Sequence, residues 1–301
     1  MPTALFITLI VFFLSHLAPG DAVTALAGPE SPPELVEKMR ERYGLDRPLW
    51  MQFALWMEML VHGDLGTSIR TGQPVVTMIL ERFEATLTLA ISATLFSIFI
   101  ALPAGIVAAA KRGSIIDVSA MAITSLAISL PNFFTAIVMI VIFGVELRWL
   151  PISGYIPIFQ DFWVSLAHLI MPTISLGLIY TALLSRLVRS DLLDILSENY
   201  IRTARSKGLP ETIVLLRHGV RNALLPTINL VTINFASLLG GTIIIEEIFA
   251  IPGIGRLLIN AVEIRDFPVI QGVTLIVGLI YILSSIIADI ISMFADPRIK
   301  L

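Results

Sequence analysis

The chain is expected to fold as an all-α integral membrane protein with six transmembrane helices and both termini in the cytoplasm. Of its 301 residues 56% are hydrophobic and only 14% charged, with a mean hydropathy of +0.89; an average soluble domain carries roughly 25% charged residues. Six charge-free runs cover residues 1–20, 85–110, 118–145, 162–185, 222–245 and 267–288. Each reaches the roughly 20 apolar residues that a helix needs to cross a hydrocarbon core about 30 Å thick. The basic residues are unevenly placed. With the termini inside, the inner segments hold eleven of them: Lys111, Arg112, seven between 186 and 221, Arg298 and Lys300. The short outer loops hold three, Arg148, Arg256 and Arg265. Positive residues collect on the cytoplasmic side, and an even span count keeps both ends there.

Composition also excludes several chemistries. The net charge of −3 gives no argument for nucleic acid, and the absence of cysteine removes disulfides, thiolate metal sites and cysteine nucleophiles. There is no GxxxxGK[ST] phosphate loop, no nucleophile elbow and no HExxH pair. Ionisable groups are nearly absent from the runs; His168 near one outer end and Asp289 beside one inner end come closest. A stand-alone ion-coupled secondary transporter, the alternative reading, needs carboxylates or histidines at depth as relays. The energy source is therefore expected in another subunit, and His168 is expected to be a packing residue.

Taken in order, residues 1–20 lack the basic n-region and small-x-small cleavage site of a signal peptide, so they read as a retained first span. Residues 21–84 read as an outer segment. In it, Ser31-Pro32-Pro33-Glu34 opens a helix that Gly44 stops. Residues 47–62, rich in aromatics and Met (Trp50, Phe53, Trp56), suit a helix at the membrane interface, and 63–75 read as turns.

Residues 85–301 form the expected five-helix core. Its second to fourth spans contain Pro103, Gly105, Pro131, Asn132, Pro172 and Gly177. A proline frees backbone carbonyls that neighbours or a wet cavity must satisfy. Pro131-Asn132 thus either kinks a packed helix or marks where a translocation path passes. Span five carries Asn229, Asn234 and Gly240-Gly241, which fit a packed subunit interface as readily as a polar pathway. Pro131, Asn132 and Asn234 are the candidate path residues. FAIPGIGRLL at 249–258 reads as a turn followed by a short helix, and its GxG follows no strand.

The long hydrophilic loop at 186–225 is expected in the cytoplasm, with seven basic residues between 186 and 221 against Asp191, Asp194, Glu198 and Glu211. Span four continues into it at helical spacing. After capping residues at Ser197-Glu198-Asn199, a short helix over 200–207 closes at Gly208, and Leu209-Pro210-Glu211 restarts a helix that runs into span five. Tyr200, Ile201 and Ala204 share one side of the short helix; Arg202, Arg205 and Lys207 point elsewhere. Such a helix can seat in a groove of another protein or lie on anionic headgroups, and its chemistry alone favours neither.

The stretch NYIRTARSKGLPETIVLLRHGVRNALLPTI at 199–228 resembles the cytoplasmic signature loop of ATP-binding-cassette (ABC) importer permeases, in detail the dipeptide, oligopeptide and nickel branch. Supporting stretches are APGDA at 18–22, YGLDRPLWMQF at 43–53, GDLGTSIRTGQPV at 63–75, EEIFAIPGIGRLL at 246–258, RDFPVIQG at 265–272 and ADPRIK at 295–300. The resemblance implies a type I ABC importer permease fold in a prokaryotic inner or plasma membrane, in contact with lipid. It implies a non-catalytic subunit, in a heterodimer with a second permease, that works with two ATPase subunits and an extracytoplasmic solute-binding protein. No cofactor is expected in this chain, since ATP and Mg²⁺ sit on the partner ATPases. Asn199, Tyr200, Arg202, Thr203, Ala204, Arg205, Lys207 and Gly208 would form the coupling helix and turn against an ATPase, and short peptides would be the cargo. Arg202-Thr203-Ala204 stands where the general motif has Glu-Ala-Ala, and the spacing from Gly208 to Pro226 is longer than in that motif.

Overall fold

A computed structural model of the chain describes residues 2–17, 32, 34, 37, 38 and 46–295. Most of the helix expected over 34–44, its Gly44 stop, the 18–22 stretch and residues 296–301 lie outside the described residues. So does the side chain of Asp289. Regular structure among the described residues is helical, apart from an isolated antiparallel bridge between Thr67 and Pro74.

The helices are α1 (Pro2–Leu17), α2 (Leu49–Val61), α3 (Val75–Ala110), α4 (Ile115–Ser129), α5 (Asn132–Met139), α6 (Phe162–Leu196), α7 (Asn199–Ser206), α8 (Arg221–Ile248), α9 (Ile254–Glu263) and α10 (Phe267–Ala295). A π-helical segment, Ile140–Glu146, extends α5; a helical turn, Glu211–Ile213, and a second π segment, Val214–Val220, lead into α8. Among the described residues, four helices are long and apolar enough to cross a membrane: Val75–Ala110, Phe162–Leu196, Pro226–Ile248 and Phe267–Ile287. They correspond to the second, fourth, fifth and sixth expected spans. The described part of the first, α1, is 16 residues long.

The third expected span is broken. The helices on either side of Leu130-Pro131 are bent by 100°. Leu130 is extended (φ −90°, ψ 124°), the conformation that steric conflict with a following proline ring favours, and Pro131 flanks the new helix at φ −63°, ψ 143°. The chain here changes direction rather than merely kinking. Pro103 and Pro172, by contrast, lie inside continuous helices. Helix α3 starts ten residues before the charge-free run, because Glu81, Arg82 and Glu84 sit on its early turns. Its 36 residues make about 54 Å at 1.5 Å per residue.

Two compact units are present. The first comprises residues 1–86 with 252–282. Leu65, Val75, Ile79, Ile254, Leu257 and Val273 form its core. Gly272 allows close approach there, since a Cβ on it would lie 2.6 Å from Val75 Cγ1. Ser68 Oγ donates to Asp266 at 2.5 Å and the Ile69 amide to the same carboxylate at 3.2 Å, which pins the 63–74 turns. Thr86 Oγ1 accepts from the Ile254 amide at 2.8 Å, where α9 begins. Phe12, Phe53 and Trp56 stack α1 on α2.

The second unit comprises residues 87–251 with 283–301. Helices in lipid gain no hydrophobic drive from one another, so small residues and hydrogen bonds carry their packing. A Cβ on Gly105 would lie 2.7 Å from the Ser185 carbonyl oxygen, and one on Gly177 would lie 2.9 Å from Phe96. Ser97 Oγ donates to the Gly177 carbonyl at 3.0 Å, and Ser92 pairs with Thr173 at 2.8 Å. Small residues thus bring α3 and α6 together, around Ala101, Leu184 and Val188. Helix α6 packs further against α4, α5 and α8.

Candidate functional site

The predicted coupling segment folds as α7, followed by a turn. Its flanking residue Glu198 makes no side-chain cap, and Ser197 Oγ instead donates back to the Asp194 carbonyl at 2.6 Å. At the other end the Lys207 and Gly208 amides donate to Thr203 and Arg205 carbonyls at 3.1 and 2.9 Å. Gly208 has φ +78°, the left-handed stop expected of it. Pro210 then supplies the extended residue from which the next helical turn starts.

Helix α7 is held by apolar contact on one side. Ile201 is fully buried and Ala204 nearly so; both pack with Val214 and Leu196. The small residue at the centre of the helix therefore faces this chain's own cluster, not outward. Periodicity puts Tyr200 on the same side, but it lies 42% exposed at the edge. Its hydroxyl donates to the His218 carbonyl at 3.4 Å and accepts from Asn222 Nδ2 at 2.9 Å, which ties α7 to the start of α8.

Arg205 Nε and Nη2 donate to Glu211 at 3.1 and 2.6 Å, clasping the end of α7 to the next helical turn. The guanidinium holds the Glu211 carboxyl below its ordinary range, and the carboxylate raises Arg205 in turn. Arg202, Thr203, Ser206 and Lys207 remain exposed. Thr203 Oγ1 and Ser206 Oγ donate to carbonyls within the helix. Asn199, Arg202 and Lys207 side chains make no hydrogen bond or ion pair among the described residues. The outward surface of α7 is polar and cationic.

The candidate path residues are not gathered into one cavity. Asn234 lines a cavity of about 10 Å³ with Thr94, Ser97 and Tyr180, barely the room one water needs. Pro131 and Asn132 stand at the α4–α5 break; Pro131 is exposed and Asn132 half-buried, and α5 packs against α8. His168 Nδ1 lies 2.9 Å from the Val164 carbonyl, one turn earlier, as a packing histidine does. Gly240 has nothing within 4 Å of a Cβ, and Gly241 only the Tyr180 hydroxyl at 3.8 Å. Among the described residues no cluster of three His, Cys, Asp or Glu is positioned to hold a metal.

Sequence reasoning missed two features. Asp117 stands one residue before a charge-free run, where nothing in the sequence marks it, yet it is 3% exposed and clasped by Arg189 of α6. Only its pairing 72 residues away reveals it. The π segment Val214–Val220 was read as ordinary helix, since a change of turn geometry leaves no periodic signal over seven residues.

Comparison with known proteins supplies the wider context. The family model described as "Binding-protein-dependent transport system inner membrane component" matches residues 101–301, and that for the N-terminal part of such components matches 2–90. The glutathione transport system permease protein GsiC of Escherichia coli K12 is 39% identical over 300 residues, all of this chain and 95% of that protein. A putative peptide transport system permease protein of Brucella abortus is equally similar, covering all of this chain and 96% of the relative. Among solved structures, a chain of the MetNI methionine ABC transporter in an inward-facing conformation superposes with a TM-score of 0.58. It shares 18% identity and covers 73% of this chain and 97% of its own length. That likeness shows the fold, a type I ABC importer permease fold. Such subunits are not catalytic; partner ATPases hydrolyse the ATP, and a binding protein delivers the cargo. With both family models and the full-length relatives in agreement, the chain belongs to the family of binding-protein-dependent transport system inner membrane components, the membrane permeases of ATP-driven importers.

Proposed function

We propose that this chain is one half of a permease heterodimer in a di- and oligopeptide importer, served by two ATPase subunits and an extracytoplasmic solute-binding protein. The observation that carries the reading is α7: a short helix fixed by Ile201 and Ala204 to its own chain, with Arg202, Thr203 and Lys207 turned outward. The peptide assignment is supported by relatives named for glutathione and peptide transport.

In this reading six spans place both termini and the 186–225 loop in the cytoplasm, residues 21–84 outside, and the five-helix core at 85–301. Closure of the ATP-loaded ATPases pushes on α7 and the Gly208 turn, through Asn199, Arg202, Thr203 and Lys207; Tyr200, Ala204 and Arg205 hold the helix in place from within. The motion passes into α6 and the helix beyond Pro210 as rigid-body displacement. The two permeases then alternate access across a shared pathway that includes Pro131, Asn132 and Asn234. ATP and the loaded binding protein bias the two states by binding them unequally.

The test is co-expression with the neighbouring ATPase and permease subunits, followed by reconstitution and measurement of labelled glutathione and dipeptide uptake. ATP-dependent uptake that needs the binding protein, and that falls when Arg202 and Lys207 are both replaced by Glu, is the expected result. Uptake driven by an ion gradient without ATPase subunits would refute it.

A further inference from the structure

The buried Asp117 and the half-buried Arg189, whose side chain is 24% exposed, make an ion pair joining α4 to α6. Arg189 Nε donates to Asp117 Oδ1 at 2.5 Å and its Nη2 to Oδ2 at 2.8 Å, while the Gly113 amide adds a third bond to Oδ2 at 2.9 Å. Gly113 itself is in a left-handed turn, φ +75°, so the carboxylate also fixes the α3–α4 connection.

Its place in the chain is what gives the pair a role. Arg189 lies seven residues before the end of α6, about 10 Å along the axis, and α7 starts three residues after that end. Asp117 sits in the first turn of α4, whose far end leads to the 100° break at Leu130-Pro131. Such an ion pair adds little stability over an apolar pair of the same volume, but the buried Asp117 carboxylate is costly to leave without its partner, so the pair resists a change of register between α4 and α6. Apolar neighbours slide past one another at small cost; a bidentate clasp does not.

We propose that Asp117 and Arg189 are positioning residues for transport. They lock the coupling end of α6 to α4, so that displacement of α7 reaches the α4–α5 break instead of being lost as slippage between helices. This inference rests on the reading of α7 as the ATPase contact. It adds a specific second link, from α6 to α4, that the contact itself does not require.

The test uses the whole importer in vesicles, with labelled glutathione or dipeptide as probe and the ratio of peptide moved to ATP hydrolysed as readout. Two variants are compared with wild type: Asp117→Asn, and the double Asp117→Leu with Arg189→Leu. The Leu pair keeps an apolar contact and is expected to assemble with the ATPases. Its transport ratio is expected to fall by about tenfold, within the usual range of coupling free energies, while hydrolysis continues. Asp117→Asn is expected to reduce the ratio in the same direction. Distances between spin labels on α4 and α7 are expected to change together on ATP binding in wild type, and independently in the Leu pair. A Leu pair that assembles and transports at the wild-type ratio overturns the proposal. If neither variant assembles, the pair serves folding and the proposal also falls. If the wild type itself shows no ATP-dependent uptake, the permease reading fails first.

Discussion

Replacing Gly208 separates backbone from bulk at the turn that ends α7. The residue has φ +78°, and nothing lies within 4 Å of where a Cβ would stand. Added volume therefore meets no neighbour, and the whole cost arises from the left-handed conformation. For an L-residue that cost is about 1–2 kcal/mol, more for a β-branched side chain and less for asparagine, which tolerates the region. A shift of this size changes the population of the closed turn by roughly 5- to 30-fold. The expected order of damage is Gly208→Asn, then Gly208→Ala, then Gly208→Val, although asparagine is larger than alanine. Reconstituted importers would be assayed for peptide uptake per ATP hydrolysed, with membrane insertion checked by the amount of chain recovered. Insertion should be unaffected, because the turn lies outside the spanning helices. Damage that ranked by side-chain volume would refute the conformational account, and a fully coupled Gly208→Val would remove α7 and its turn from the coupling role.

Other perturbations follow from the same contacts. Ile201→Ala empties a fully buried position between Leu196 and Val214, a loss of about 2–4 kcal/mol in a well-packed site; faster amide exchange across 199–208 and weaker co-purification of the ATPases would register it. Gly105→Val drives side-chain atoms into the Ser185 carbonyl, 2.7 Å from the Cβ position, and into Val188. A cost of about 1–3 kcal/mol is expected, visible as a lower temperature of aggregation in detergent. Gly240→Ala, with open space around it, should leave the isolated chain unchanged, and loss of the assembled complex alone would place Gly240 against the second permease. Glu211 has its folded pKa lowered by Arg205, so the pair's contribution is complete above the ordinary value of 4.5 and is lost as pH falls through the lowered one. Since the pair is exposed and screened, the effect is at most about 0.5 kcal/mol, and the protection factors of the amides between 205 and 211, taken relative to the intrinsic exchange rate at each pH, should fall on acidification in wild type but not in Glu211→Gln.

Charge and hydropathy made the bundle legible, because a helix that crosses lipid must be a long apolar run. They were less informative about direction and ends. The early charges Glu81, Arg82 and Glu84 hid the first ten residues of α3, since a helix that projects beyond the apolar layer loses nothing by carrying them. The 118–145 run is continuous in composition, and only Pro131 hinted that Leu130 would leave the helical region. In α7, periodicity correctly grouped Ile201 with Ala204. It could not say whether that face met this chain or another, which depends on Leu196 and Val214 arriving from two other segments. The Asp117–Arg189 clasp was invisible for the same reason, as its partners are 72 residues apart.

The size of α7 limits what it does. Eight residues make a helix about 12 Å long, whereas a stable interface engages roughly 20–30 residues a side. With Ile201 and Ala204 turned inward and Arg205 and Tyr200 tied to Glu211 and Asn222, the outward face consists of Asn199, Arg202, Thr203, Ser206 and Lys207. Exposed charge pairs contribute about 0–1 kcal/mol each, so this face cannot by itself hold an ATPase on the membrane. Under the proposed coupling role, its build suits transmission instead. Contacts with α6 on one side and with the π segment before α8 on the other make any displacement of α7 a displacement of both long helices. A helix that only anchored a partner would present its apolar face outward; this one spends it on rigidity within its own chain.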